Sequence, residues 1–137
     1  MKQGVMLTIT SLLSVLLFTV HLTDDIIRGT EPGGVNNLIG GSVIMVVWLY
    51  GALVLTERRS GYIIMLLGSV LSFGVPVLHM RGKGVGVASK VATYSGVFRF
   101  IWVLIALGVT GLFSAVLSAH GLWRLPWRRT RYSNLQP

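Results

Sequence analysis

Four apolar stretches, each long enough to cross a bilayer, take up most of the chain. They run from about Gly4 to Leu22, Leu38 to Thr56, Gly61 to Leu78 and Ser95 to Ala119. A spanning helix needs about 20 mostly apolar residues. Only 12% of the residues are charged, about half the share of an average soluble domain, and 53% are hydrophobic. A soluble four-helix bundle would present polar outer faces, whereas these segments are apolar nearly all round. The expected fold is therefore all-α: an integral membrane four-helix bundle with both termini on one side. Residues 1–120 form the transmembrane domain, with helices at about 4–28, 37–57, 61–80 and 94–119. Residues 121–137 form a basic, aromatic tail.

The first segment reads as a retained helix. Its apolar run exceeds the roughly 7–15 residues of a signal peptide core. It ends in Val20-His21-Leu22-Thr23-Asp24-Asp25, without a small-x-small cleavage site. The chain has no cysteine. That removes disulfides, thiol redox pairs and thiolate metal sites.

Helix 1 carries a polar stripe. Thr10, Ser14, Leu17, His21, Asp24 and Arg28 recur at alternating spacings of four and three, which lie along one helical face. Asp24 and Arg28 are an i,i+4 pair, and His21 lies one turn below the two aspartates. Gly29 fits a helix stop, and Thr30-Glu31-Pro32-Gly33-Gly34 reads as a loop. Helix 2 is expected after Asn36-Asn37. The link Glu57-Arg58-Arg59-Ser60 is so short that helices 2 and 3 must form an antiparallel hairpin. Helix 3 has small residues at Gly68 and Ser72, and Pro76 is expected to weaken its far end. Helix 4 aligns Gly108, Gly111, Ala115 and Ser118 on a stripe suited to close packing, either inside the bundle or on a second copy.

The loop Arg81-Gly82-Lys83-Gly84-Val85-Gly86 lacks the Walker spacing and a preceding strand, so it reads as a basic headgroup loop. No inverted repeat is evident. Net charge is +8. Most of it is juxtamembrane, so the expected partners are membrane lipids, including anionic headgroups, and not nucleic acid. A homo-oligomer or a larger membrane complex is compatible with the packing stripe. In the tail, Trp123, Arg124, Trp127, Arg128, Arg129 and Arg131 read as a lipid-interface anchor, interrupted by Pro126.

With four spans, Lys2, Arg58, Arg59, Arg124, Arg128, Arg129 and Arg131 share the side of the termini. Arg28, Arg81, Lys83 and Lys90 lie opposite, and Arg99 is intramembrane. The positive-inside rule then favours both termini in the cytoplasm, and the compact chain leads us to expect a plasma (inner) membrane. The same topology brings four helix ends together on the outer side. Those ends carry His21, Asp24, Asp25, Arg28, Asn36, Asn37, His79, Tyr94 and Arg99. Polar groups in a membrane are expensive and face the bundle or water. An outward-opening polar pocket built from helices 1, 3 and 4 is therefore expected, with ligand-binding candidates His21, Asp24, Asp25, Arg28, His79, Tyr94 and Arg99.

Each candidate also has a purely structural reading. The Asp24-Asp25-Arg28 group suits a solvated helix end, His21 a hydrogen-bonded core histidine, and His79 an interface residue. Arg99 lies about 7 Å inside helix 4 by helical rise. It either snorkels to phosphate or pairs with Asp24 or Asp25, with Phe98 and Trp102 placed to stack on it. Three functions fit. The leading one is a non-catalytic ligand-binding or accessory subunit. The second is an oligomeric small-solute or proton transporter, for which Thr8, Thr10, Ser11, Ser14 and Ser42 offer few inner polar groups. The third is a metal or haem protein using His21 and His79. No spacing signature supports that third reading, His120 lies at the opposite face, and no cofactor is predicted. Enzymatic activity is the less favoured expectation.

Overall fold

The computed structural model describes residues 3–29, 34–81 and 96–125. Among the described residues the chain is all-helical: α1 (Gln3–Arg28), α2 (Gly34–Leu53), α3 (Arg59–Arg81) and α4 (Val97–Arg124). All four helices are long and apolar enough to span a membrane. Helix is the conformation that the hydrocarbon solvent selects, because it satisfies backbone N–H and C=O groups within the segment.

Successive helices run antiparallel. At the start of α1, Gln3 donates to the Leu117 carbonyl near the end of α4, 3.1 Å away. Thr8 donates to the Ala52 carbonyl at the end of α2. Further along, Ser72 Oγ donates to the Leu107 carbonyl at 3.1 Å, pairing α3 with α4. The α3–α4 contact is the most extensive, α1 rests mainly on α4, and α2 joins through α3 and α1. The small stripe of α4 meets α3 within the bundle: Gly111 backs onto Ser69, Ser72 and Phe73, and Gly108 onto Pro76.

The distribution of polarity is inverted relative to a water-soluble bundle. Leu16, Val46, Leu67, Val109 and many other large aliphatic residues face outward. Ser11, Ser14, Ser69, Ser72, Ser114 and Ser118 have no exposed surface. Ser114 Oγ lies 3.0 Å from Ser11 Oγ and accepts from Ser69 Oγ at 2.8 Å, so one hydroxyl group joins α1, α3 and α4. Small side chains let the backbones approach, which is how membrane helices gain packing energy when lipid tails are as apolar as leucine. Apolar side chains fill two further regions, one towards the starts of α1 and α3 and the end of α2, the other beside the polar cluster. Leu7, Trp48, Ala52, Tyr62 and Met65 form one core, and Phe100 and Leu104 another.

Several helix ends differ from the sequence-based bounds. The helix expected from 37 begins at Gly34, whose φ of +58° only glycine adopts readily. Asn36 and Asn37 are therefore exposed residues of the first turns of α2. The same helix stops at Leu53, short of residue 57, where the backbone ladder gives way to turn bonds: Leu55 N–H donates to the Tyr50 carbonyl and Arg58 N–H to the Leu55 carbonyl. The hairpin link is thus residues 54–58. Helix α4 begins at Val97, after Gly96, and not at 94. It runs to Arg124 and not 119, so the first four residues assigned to the tail are helical. Gly121 permits this by lying against the Tyr62 ring, where a side chain would collide. Leu125, which precedes Pro126, is extended at φ −71° and ψ 118°, as a proline requires of its predecessor. Gly29 ends α1 at φ +65°, matching its expected role as a helix stop.

Candidate functional site

The last turns of α1 and α3 and the first turn of α4 meet at one end of the bundle. They bring together His21, Asp24, Asp25, Arg28, His79 and Arg99, residues separated by up to 78 positions in sequence. Tyr94 lies outside the described residues, as do Trp127, Arg128, Arg129 and Arg131. Trp123 and Arg124 are exposed at the opposite end, the tryptophan almost completely.

Adjacent positions on a helix point about 100° apart. Asp24 and Asp25 consequently serve different neighbours. Asp24 turns towards α4, where Arg99 Nη2 donates to its Oδ1. Arg28, one turn on in α1, donates through Nε to Asp24 Oδ2 at 2.7 Å. A single carboxylate thus holds two guanidinium groups. Arg99 keeps 65% of its side chain exposed, while Asp24 keeps 6% and Arg28 10%. Of the two expected roles for Arg99, pairing with Asp24 is the one seen: its tip reaches the carboxylate along the outer surface of the bundle. Phe98 and Trp102 pack on each other instead, with ring centroids 6.0 Å apart, and both are largely exposed.

Asp25 turns towards α3. Its Oδ2 lies 3.4 Å from His21 Nε2 and 3.8 Å from His79 Nε2, and the two imidazole nitrogens are 3.0 Å apart. His21 and Asp25 are both buried, and His79 is only 16% exposed. His79 is tucked against His21 and Phe100. Phe100 on α4 closes the inner side, with ring centroids 5.6 Å from His21 and 5.4 Å from His79. It is itself 1% exposed. An apolar wall strengthens electrostatic and hydrogen-bond contacts beside it by lowering the local dielectric.

The open space beside the cluster is a shallow groove between α1 and α4, with no described residue of α3 lining it. Thr19, Val20, Thr23, Asp24, Ile27 and Arg99 bound about 180 Å³ of open space on the α1–α4 side. The histidine half is closed and packed. The separation of the two Nε2 atoms also leaves no room for a porphyrin between them, since two axial histidines of a haem stand about 4 Å apart across the iron.

Two features escaped the sequence reading. Phe100 looked like one more apolar residue of a spanning helix. Ser69, Ser72, Ser114 and Ser118 were visible only as small packing residues, or not singled out at all. Together with Ser11 and Ser14 they give the bundle a hydroxyl-rich interior, while Ser42 lies exposed on α2. Their spacing of three and four within each helix was the available signal. No family model, curated protein or solved structure matches the chain.

Proposed function

We propose that the protein is a non-catalytic membrane subunit that binds a ligand through the polar cluster at one end of the bundle. Both termini are assigned to the cytoplasmic side of the plasma (inner) membrane and the cluster to the outer side. One observation carries this reading: six ionisable residues from three helices converge at a single end. Intramembrane ionisable groups are costly and are kept where they hold a partner. In this division of labour the Asp24–Arg28–Arg99 half fixes the helices, and the His21–Asp25–His79 half offers lone pairs to a ligand. Lipids contact the apolar exterior, and a larger membrane complex is compatible with it.

Native mass spectrometry of the protein released from nanodiscs tests ligand binding. The wild-type chain is expected to retain a bound mass that the His21→Ala/His79→Ala double variant loses. Equal bound masses on both proteins would exclude the cluster as the binding site. Orientation has its own test. A cysteine introduced at Ser133 should resist an impermeant thiol reagent in intact cells and react after permeabilisation; labelling of intact cells would reverse the topology.

The serine interior favours a second reading, proton or small-solute transport by an oligomer. Six fully buried hydroxyl side chains extend the polar lining below the histidines. Proteoliposomes loaded with a pH-sensitive dye distinguish the two readings. A proton flux lost in both His21→Ala and Ser114→Ala would favour transport, and silent vesicles would leave the ligand-binding subunit.

A further inference from the structure

We propose that His21 Nε2, His79 Nε2 and Asp25 Oδ2 form a binding site for one divalent d-block cation, with zinc the best-matched ion. This names the ligand class for the binding reading above and rests on it. The three donor atoms form a triangle with edges of 3.0, 3.4 and 3.8 Å. A triangle of those edges has a circumscribed radius of about 2.0 Å, so one point lies at that distance from all three atoms. Zinc–nitrogen and zinc–carboxylate bonds are about 2.0–2.2 Å. The ion therefore fits at, or slightly above, the plane of the donors without movement of the helices.

The ring spacing is compatible with the same point. Imidazoles aimed at a shared centre, with nitrogens 3.0 Å apart, have centroids about 4.7 Å apart. The observed separation is 4.7 Å, with ring planes at 87°. The 3.0 Å contact is also a hydrogen bond between the two imidazoles, one Nε2–H donating to the other Nε2, which a bound cation would replace. The three side chains are also the group among the described residues whose donor atoms could hold a metal together.

The donor set selects the ion class. Two imidazoles and one carboxylate suit zinc and its divalent d-block neighbours, whereas calcium and magnesium prefer all-oxygen shells. Three protein donors leave one position for water or an exogenous ligand. The surroundings suit a bound cation. Phe100 shields the inner side, and Asp24 neutralises part of the charge of Arg28 and Arg99, the nearby cations among the described residues. Asp25 sits at i,i+4 from His21, so α1 supplies two donors from one face and α3 the third. Binding would tie the end of α1 to that of α3, a pair of helices with little other contact.

The test uses full-length protein carrying an affinity tag free of histidine, in detergent or nanodiscs. Elemental analysis after equilibration with Zn²⁺ and desalting is expected to give one zinc per chain. His21→Ala, His79→Ala and Asp25→Asn should each weaken zinc binding by about 100-fold or more, because loss of even an outer-shell partner costs 10–100-fold. His120→Ala, at the opposite end, should keep the stoichiometry. Zinc should raise the wild-type Tm and leave that of the ligand variants unchanged. If a variant fails to fold, Co²⁺ on the wild-type protein supplies the readout: tetrahedral d–d bands that zinc displaces. Wild-type protein without stoichiometric metal, or zinc retained in full by a folded His21→Ala, overturns the proposal. If metal-free wild-type protein still keeps a bound mass that the double histidine variant loses, the metal site falls and the ligand-binding reading stands.

Discussion

Asp24→Leu is expected to lower the stability of the bundle by about 3 kcal/mol, read as a lower unfolding midpoint in detergent. Its carboxylate accepts from Arg28 Nε at 2.7 Å and from Arg99 Nη2, and it is buried. Removing it takes from Arg28, in a 10% exposed position, the carboxylate that its Nε reaches at 2.7 Å. Breaking a buried ion pair costs more than the pair contributes, because the surviving charge stays desolvated. The value belongs at the low end of the 3–5 kcal/mol range, since Arg99 is 65% exposed and is not left buried. For the same reason Arg99→Leu should cost only about 1 kcal/mol, as for exposed ion pairs. The double variant should lose less than the sum of the two single effects. Neutral, additive single variants would show that α1 and α4 are not coupled through this carboxylate.

Gly111→Leu should be comparably damaging, at about 3 kcal/mol, the upper end of the usual cost of overpacking. A Cβ at that position would lie 2.9 Å from the Phe73 nitrogen and from Ser72 Oγ, and 3.0 Å from the Ser69 carbonyl oxygen. Two of these three neighbours are backbone atoms of α3, so no rotamer change relieves the overlap. The α3–α4 seam would have to open, and in a membrane that seam is held by close packing with no hydrophobic drive to restore it. Gly74→Ala provides the contrast. Nothing lies within 4 Å of its added methyl, so it should be neutral or slightly stabilising through helix propensity. Thermal unfolding of the two variants side by side measures the difference. If Gly111→Leu is as stable as Gly74→Ala, the tight α3–α4 approach is not a feature of the folded protein.

Much of the site was legible in the chain because topology alone gathers helix ends. Once four spans alternate, His21 and Asp24 must share a side with His79 and Arg99. The packing stripe at Gly108 and Gly111 was legible for a similar reason, since spacing fixes a helix face. The partners chosen across helices were not legible. Asp24 and Asp25 are chemically identical neighbours, and only the rotation of α1 assigns one to Arg99 and the other to the histidines. The helix ends at Leu53 and Arg124 depended on contacts beyond hydropathy: the turn bonds of Leu55 and Arg58 in one case and a Tyr62 ring against Gly121 in the other.

The amino-acid sequence by itself determined the four apolar helices, the short hairpin between α2 and α3, and the end of the bundle at which ionisable residues collect. These follow from hydropathy summed over about 20 consecutive residues and from strict alternation of direction. Only the tertiary structure decided that six serines would fill the interior, that one carboxylate would hold two arginines, and that two histidines and an aspartate would converge on one point. Those outcomes depend on the relative rotation and register of helices far apart in sequence, quantities set by side-chain packing between them and by no local pattern within any one.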